Sequence, residues 1–450
     1  MSYGAESMNR DRSSNTILSG VFRVFFRQIS NIVLGVAITA VVARALGPEG
    51  NGVFVFLTVL VPPLLVAFAG FGVIYSGVYY VARGDIDLRS GYHMAVAYWL
   101  LLSPIGCVIG YLYSKYHSDS YISDTALWIS ISSFPFLLLQ TFLTSLIQAK
   151  QEFGIYSRVT LVPSAVTLVL LAVLFLLFGV SIVNAVIAYA AAQIVSAGYS
   201  LWVVKGLVSS APRFGAKIDR PMWAYAKYGF FSYLGNLMAF ALVRVNYYFV
   251  GHFLGGAALG VFAIASQMSD RLLLLVTSVT TVALPKLSAS YGAGDGSAIT
   301  SLMTRMTIIA SMCVAILVGI SSPIVIRVLF GEDYMGALVP LLVLLPSTVF
   351  TSVSRIIAND LSARGLPYLN VSTSVFVVLG NVLLCWTIIP TYGLLGASLA
   401  TSITAAVNCL LKLEVYRRVS GSGLWEPIHL RGEDFKAYYE GACKLIGRMK

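Results

Sequence analysis

Twelve stretches of mainly apolar residues divide this chain, each separated from the next by a short polar or glycine-rich break. They run over 17–42, 53–80, 92–114, 125–148, 157–178, 183–204, 228–250, 258–284, 299–321, 336–358, 368–390 and 395–416. A helix that crosses the hydrocarbon core of a bilayer needs about 20 such residues, so the pattern predicts twelve transmembrane helices. The breaks carry turn chemistry: Gly47-Pro48-Glu49-Gly50, Arg83-Gly84-Asp85, 251–256 and 292–296. No small-residue cleavage site follows the first apolar run, so that run is expected to stay as a helix. The longest connection, 205–227, divides the spans into two sets of six.

Composition excludes the soluble alternatives. Hydrophobic residues make up 58% of the chain and charged residues 11%, against roughly 25% charged in a soluble domain. Mean hydropathy is +0.83. Such a chain cannot cover a water-facing surface, which rules out a soluble enzyme, a disordered protein and a coiled coil. The net charge of +11 does not point to nucleic acid, because the basic residues lie in short segments between spans. With a cytoplasmic N-terminus, 21 of the 30 Lys and Arg residues fall in inside segments and three (Arg44, Lys115, Arg327) outside. That asymmetry is the positive-inside signature, and it predicts a multi-pass protein of the cell (inner) membrane with both termini cytoplasmic. In the tail, Phe435, Tyr438, Tyr439, Ala442, Leu445 and Ile446 follow helical spacing, which predicts an interfacial helix against phospholipid.

The two sets of spans resemble each other. After span 1 the chain reads Leu46-Gly47-Pro48-Glu49-Gly50-Asn51-Gly52-Val53-Phe54, and after span 7 Leu254-Gly255-Gly256-Ala257-Ala258-Leu259-Gly260-Val261-Phe262. Both are L-G-x-x-x-x-G-V-F, with glycines suited to a tight outer turn. Span 4 ends Ile147-Gln148-Ala149-Lys150 and span 10 ends Leu361-Ser362-Ala363-Arg364. The expectation is an all-α polytopic membrane protein of twelve helices in two six-helix lobes. Because six is even, a pseudo-two-fold axis along the membrane normal would relate them. The lobes are 1–207 and 228–418, with a cytoplasmic linker at 208–227 and the cytoplasmic tail at 419–450. The cleft between lobes is then the natural substrate site.

Ionisable groups inside a bilayer are costly and face a protein interior or water. Arg23 and Arg27 lie in span 1, Arg244 in span 7, Arg271 in span 8, Arg305 in span 9 and Arg355 in span 10, against one clearly intramembrane acid, Asp270. Arg23 and Arg27 are four apart and share a helical face. Arg355, close to the inner surface, reads as a snorkelling residue, and Asp270 with Arg271 could form a helix–helix ion pair. The surplus guanidinium implies that a ligand supplies negative charge, and the planar donor fork of arginine suits phosphate. Asn236, Asn246, Gln267 and Ser269, with Gln28, Asn31 and Gln140, could hydrogen-bond sugars or one another across helices. Pro62-Pro63, Pro104, Pro135, Pro163, Pro340 and Pro346 should kink their helices.

Catalytic and metal motifs fail. Asp85-Ile86-Asp87 sits in a short turn with no nucleotide-sugar fold around it, and the glycine cluster at 292–296 is not followed by Lys-Ser/Thr as a P-loop is. Cys107, Cys313, Cys385, Cys409 and Cys443 have no paired spacing, and the four histidines are scattered. No enzyme, cofactor or metal site is expected.

The first hairpin, Ala43-Arg44-Ala45-Leu46-Gly47-Pro48-Glu49-Gly50-Asn51-Gly52-Val53-Phe54, resembles the A-R-x-L-G-P-E-x-x-G-x-F signature of polysaccharide-biosynthesis flippases. These belong to the multidrug/oligosaccharidyl-lipid/polysaccharide exporter superfamily. Leu329 to Tyr334, L-F-G-E-D-Y, resembles a recurring turn of the same family, while His252-Phe253 departs from its usual end of span 7. The resemblance implies a cationic central cavity, alternating access and a saccharide joined through pyrophosphate to a polyprenyl carrier. The expected function is transfer of that lipid-linked oligosaccharide to the outer leaflet for lipopolysaccharide or exopolysaccharide assembly. Arg23, Arg27, Arg271 and Arg305 would hold the pyrophosphate and Arg244 would lie nearer the outer exit. A polysaccharide polymerase and glycosyltransferases are the expected functional partners. Three rival readings are disfavoured. A cation-coupled multidrug exporter would use buried carboxylates, which the first six spans lack. A membrane polymerase would carry a large outer loop, and a peptidoglycan-precursor flippase would carry two more spans.

Overall fold

The computed structural model describes residues 3–69, 81, 86–116, 122–150, 152–210, 222–290, 296–364, 366–421, 423 and 426–429. Within these, side chains are described except at 3–27, 116, 153, 222–232, 236, 275–290, 296, 298–299, 362–363 and 367. The interfacial helix expected in the tail lies outside the described residues.

The described residues form helices and no strands: α1 (Tyr3–Val55), a π-helical turn (Phe56–Leu60), α2 (Val61–Ala69), α3 (Leu88–Tyr116), α4 (Asp124–Ala149), α5 (Phe153–Phe178), α6 (Ile182–Ser209), α7 (Met222–Ser290), α8 (Gly296–Leu329), a 3-10 turn (Glu332–Ala337), α9 (Leu338–Ala363) and α10 (Pro367–Ser420). Among these residues, nine helices are long and apolar enough to cross a membrane. Three of the nine, Gln28–Ala69, Tyr233–Leu274 and Tyr368–Ser420, have 42, 42 and 53 residues. At 1.5 Å per residue, 42 residues reach about 60 Å, twice the hydrocarbon thickness. Each of the three contains a glycine whose backbone is not helical: Gly47, Gly255 and Gly393. Gly47 has φ 69° and ψ −175°, and Gly255 has φ 84° and ψ −179°, a region open essentially to glycine alone. The chain breaks direction there and resumes as helix, with Pro48 supplying the fixed φ that suits a helix start.

Two compact units result: Met1–Ala263 with Leu329–Asp333, and Ile264–Val328 with Tyr334–Lys450. The cut falls inside α7 because the first hairpin grips the residues before Ala263. A Cβ built on Gly52 would collide with the carbonyl of Gly256, and one on Gly260 would collide with the carbonyl of Pro48. The two backbones touch where both lack side chains, the close approach that small residues permit between membrane helices. Asn51, fully buried, donates from Nδ2 to the Gly260 carbonyl at 3.0 Å. Arg44 donates from Nε to the Leu329 carbonyl at 3.0 Å, so the two family-like turns lie in contact.

Spacing within the two halves is regular. Gly47 and Gly255 are 208 residues apart, as are Gly52 and Gly260 and the starts of α3 and α8 at Leu88 and Gly296. Helices α4 and α9 have 26 residues each and start 214 apart, at Asp124 and Leu338. Five of the six additional residues lengthen the helix, 34 residues in α8 against 29 in α3, and the sixth lies in the connection that holds the 3-10 turn Glu332–Ala337. Ahead of Pro62-Pro63 the helix widens into the π turn, a known way of absorbing an interrupted ladder. Pro104, Pro135, Pro163 and Pro346 sit inside continuous helices. At the end of span 7, Tyr248 stacks with His252 (5.9 Å between ring centroids) and Phe249 with Phe253 (5.9 Å). His252-Phe253 thus continues two i, i+4 aromatic pairs.

Candidate functional site

In the first unit the functional candidate with described geometry is Arg244 on α7. Its guanidinium lies 5.2 Å from the centre of the Tyr247 ring, a cation–π contact that holds the charge without neutralising it. Tyr247 is itself buried and meets Phe262 edge-on at 5.7 Å. The Nη1 atom of Arg244 is buried with no hydrogen-bond partner. A guanidinium steadied by an aromatic face, with an unused buried N–H, is suited to receive an anion. Arg23 and Arg27 lie on α1; their side chains are outside the described residues, as is that of Asn236.

The second unit carries charge on four helices. On α7, Arg271 donates from Nη2 to Gln267 Oε1 at 3.1 Å, one helical turn back. Its neighbour Asp270 attracts Arg355 of α9 electrostatically, whereas Arg355 and Lys412 of α10, two like charges, repel one another. Arg355 is exposed at the surface of the unit, whereas Lys412 is 8% exposed. Arg305 on α8 is buried at 7% exposure. Arg305 and Lys412 are thus buried cations and Arg271 a half-buried one, alongside a half-buried carboxylate, Asp270. An apolar interior could not hold them, since an uncompensated buried charge costs several kcal/mol.

The helices supply polar walls. Thr300, Thr304, Thr307 and Ser311 are buried along one face of α8, and Thr404, Asn408 and Lys412 are buried at intervals of four on α10. Hydroxyls such as Thr304 and Thr404 return to carbonyls of their own helix, at 2.8 and 2.6 Å. Asn408 keeps a buried Oδ1 with no hydrogen-bond partner. From the sequence, Arg355 reads as a snorkelling residue and neither Lys412 nor Asn408 is assigned a role. The spacing of Thr404, Asn408 and Lys412 is the signal that could have found this face.

The end of the second unit is closed by a different arrangement. Asp360 accepts from Thr300 Oγ1 at 2.7 Å and from Arg364 Nε at 2.7 Å. Arg364 lies 5.6 Å from the Tyr416 ring centre, and Tyr416 donates to the Ser297 carbonyl at 3.4 Å. These residues tie α8, α9 and α10 together, which makes Asp360 a structural carboxylate. Asp360→Ala is expected to destabilise the purified chain by about 1–3 kcal/mol, read as a lower melting midpoint, with Asp360→Asn intermediate. An unchanged midpoint in the alanine variant would mean the contact is idle. Among the described residues, no three His, Cys, Asp or Glu side chains gather as a metal site.

Comparison with known proteins places this geometry in context. The sequence profile of a family described as polysaccharide biosynthesis protein matches residues 41–339. A protein of Haloferax volcanii described as a low-salt glycan biosynthesis flippase, Agl15, is 24% identical over 214 residues, 47% of this chain and 44% of that protein. A protein of Shigella flexneri described as an O-antigen transporter is 20% identical over 399 residues, 84% of this chain and 92% of that protein. The match thus takes in less than half the length of the Haloferax relative and most of the Shigella one. Among solved structures, the lipid II flippase MurJ in an inward closed conformation superposes with a TM-score of 0.68 at 16% identity, covering 91% of this chain and 89% of MurJ. An inward-facing multidrug resistance transporter of the MATE family superposes with a TM-score of 0.70 at 16% identity, covering 87% and 95%. At that identity the superpositions establish the fold.

Proposed function

Because the chain belongs to the polysaccharide biosynthesis protein family, we propose that it is a flippase for a polyprenyl-pyrophosphate-linked oligosaccharide. It carries this substrate by alternating access from the cytoplasmic to the outer leaflet, for assembly of a cell-surface polysaccharide. The observation that carries the reading is the surplus of cations within spanning helices: Arg305 and Lys412 buried and Arg271 half-buried, against Asp270, with Arg244 held by Tyr247. A pyrophosphate crossing hydrocarbon needs charge-assisted hydrogen bonds along its route, and guanidinium groups supply them in pairs. Arg23, Arg27, Arg271 and Arg305 bind the pyrophosphate, and Arg244 contacts it nearer the outer face. The glycan-flippase and O-antigen-transporter descriptions of the relatives support the saccharide.

The protein resides in the inner membrane with both termini cytoplasmic, as the distribution of basic residues favours. Twelve spans follow if each of the three long helices crosses twice around its glycine break. The reading of two six-helix lobes, 1–207 and 228–418, is supported by the shared 208-residue spacing and by the like backbone angles of Gly47 and Gly255. For a cation-drug exporter Asp270 would have to be open to a cationic ligand, and Arg355 already interacts with it.

Reconstitution tests the proposal. The purified chain in liposomes is expected to move a fluorescent polyprenyl-pyrophosphate oligosaccharide between leaflets far faster than protein-free liposomes do, under at least one imposed ion gradient or potential. Export of cationic dyes without movement of any lipid-linked glycan would overturn it.

A further inference from the structure

A second, separate site opens on the first unit. Helix α5 begins at Phe153 and α6 ends at Ser209, and between these two helix ends lies a cavity of about 690 Å³. Its walls include Arg158 on the second turn of α5 and Lys205 near the end of α6, with Tyr199 and Trp202 below them toward the middle of the span. The two aromatic rings stack at 6.0 Å with 26° between their planes. Trp202 is 72% exposed. Both cations are exposed as well, and no acid is among the lining residues. Glu152, the nearest acid in sequence, is the N-cap residue of α5 and stands outside the cavity.

The surface beneath this cavity is that of a lipid-facing helix. In the most apolar window of Gly154–Phe178 only 11% of residues are buried, against 61% for Asp124–Ala149. Ser209 and Ser210 turn their hydroxyls back onto the Gly206 carbonyl at 2.9 and 3.0 Å, and Arg158 donates from Nε to the Gly154 carbonyl at 3.5 Å, which uses one edge of its guanidinium and no negative charge. Aromatic rings at headgroup level with basic residues beyond them form the order of an interfacial belt. A cationic recess above exposed apolar helix fits a molecule with an anionic head and hydrocarbon tails.

We propose that this groove is a binding site for an anionic glycerophospholipid of the bilayer, its phosphate held by Arg158 and Lys205, its glycerol region against Tyr199 and Trp202, and its acyl chains along α5. In the orientation favoured by the basic residues the groove faces the cytoplasmic leaflet, where anionic lipids attract juxtamembrane Lys and Arg. The site carries no residue assigned to the transported pyrophosphate, so its test and that of the flippase reading are separable.

The full chain is placed in nanodiscs of phosphatidylcholine doped with brominated phosphatidylglycerol or brominated phosphatidylcholine, and tryptophan emission is compared with that of Trp202→Phe. The Trp202 component is expected to be quenched selectively by the brominated phosphatidylglycerol. Arg158→Gln with Lys205→Gln should weaken that preference on the order of tenfold, with Trp202 still quenched when the brominated lipid is made abundant, a sign that the fold is intact. Equal quenching of Trp202 by both brominated lipids in the parent chain would overturn the proposal. So would displacement of phosphatidylglycerol by a polyprenyl pyrophosphate at far lower mole fraction, which would make the groove a substrate subsite. Release by millimolar inorganic phosphate, with no lipid preference, would likewise overturn it.

Discussion

Gly260→Val, and Gly52→Val across from it, should leave almost no folded protein in the membrane. At both positions it is the Cβ itself that meets a carbonyl, that of Pro48 or of Gly256, so no rotamer relieves the clash and alanine already forces the helices apart. Overpacking within a well-filled interior costs about 1–3 kcal/mol and more against rigid backbone, and separation would also strain the buried Asn51–Gly260 hydrogen bond. The measurement is the yield and melting midpoint of monodisperse protein after detergent extraction. Gly198→Ala and Gly380→Ala are the controls: both are helical glycines whose Cβ would meet nothing within 4 Å. They should be neutral or stabilising by up to about 1 kcal/mol. A normal yield of Gly260→Val would mean that the hairpins need not touch.

Arg27→Ala and Arg305→Ala should each abolish surface polysaccharide while protein levels stay near normal. Each removes a donor fork proposed to meet the pyrophosphate, and hydrogen bonds to a charged group contribute about 1.5–3 kcal/mol apiece. Losing a bidentate pair then slows translocation by about a hundredfold or more. The lysine variants keep the charge and lose the fork, so they should retain partial flipping. Arg417→Gln is the matched control, because Arg417 is exposed and pairs with Glu414 on its own helix. Full export by the Arg27 variant would remove that residue from the proposal; full flipping by the Arg305 variant in liposomes would do the same for Arg305.

Much of the fold was legible because membrane helices are spelled by length and hydropathy. The glycine of L-G-x-x-x-x-G-V-F was readable as a turn, and Gly47 and Gly255 do turn, with nearly the same backbone angles. The second glycine of that motif reads as part of the same turn, and there the structure differs. Gly52 and Gly260 do not make the turn; they let two hairpins distant in sequence press together, and a linear string does not say which turns touch. The same limit explains the charges. Arg355, near the end of its span, reads as a snorkelling side chain and is exposed, and only the folded chain brings it within electrostatic reach of Asp270 on α7 and Lys412 on α10. Arg271 was legible as a membrane arginine, whereas its bond to Gln267 required the helix to be built.

Helix α5 differs from its neighbours in what constrains it. With so little of its apolar window covered by protein, most of its side chains answer only to the solvent around them, and that solvent is hydrocarbon. Leucine, isoleucine, valine and phenylalanine are interchangeable there, so two chains can differ in letters at such a face and present the same apolar surface. A chain with several such faces can change many letters without changing its shape, which is how 16% identity can coexist with a TM-score of 0.70.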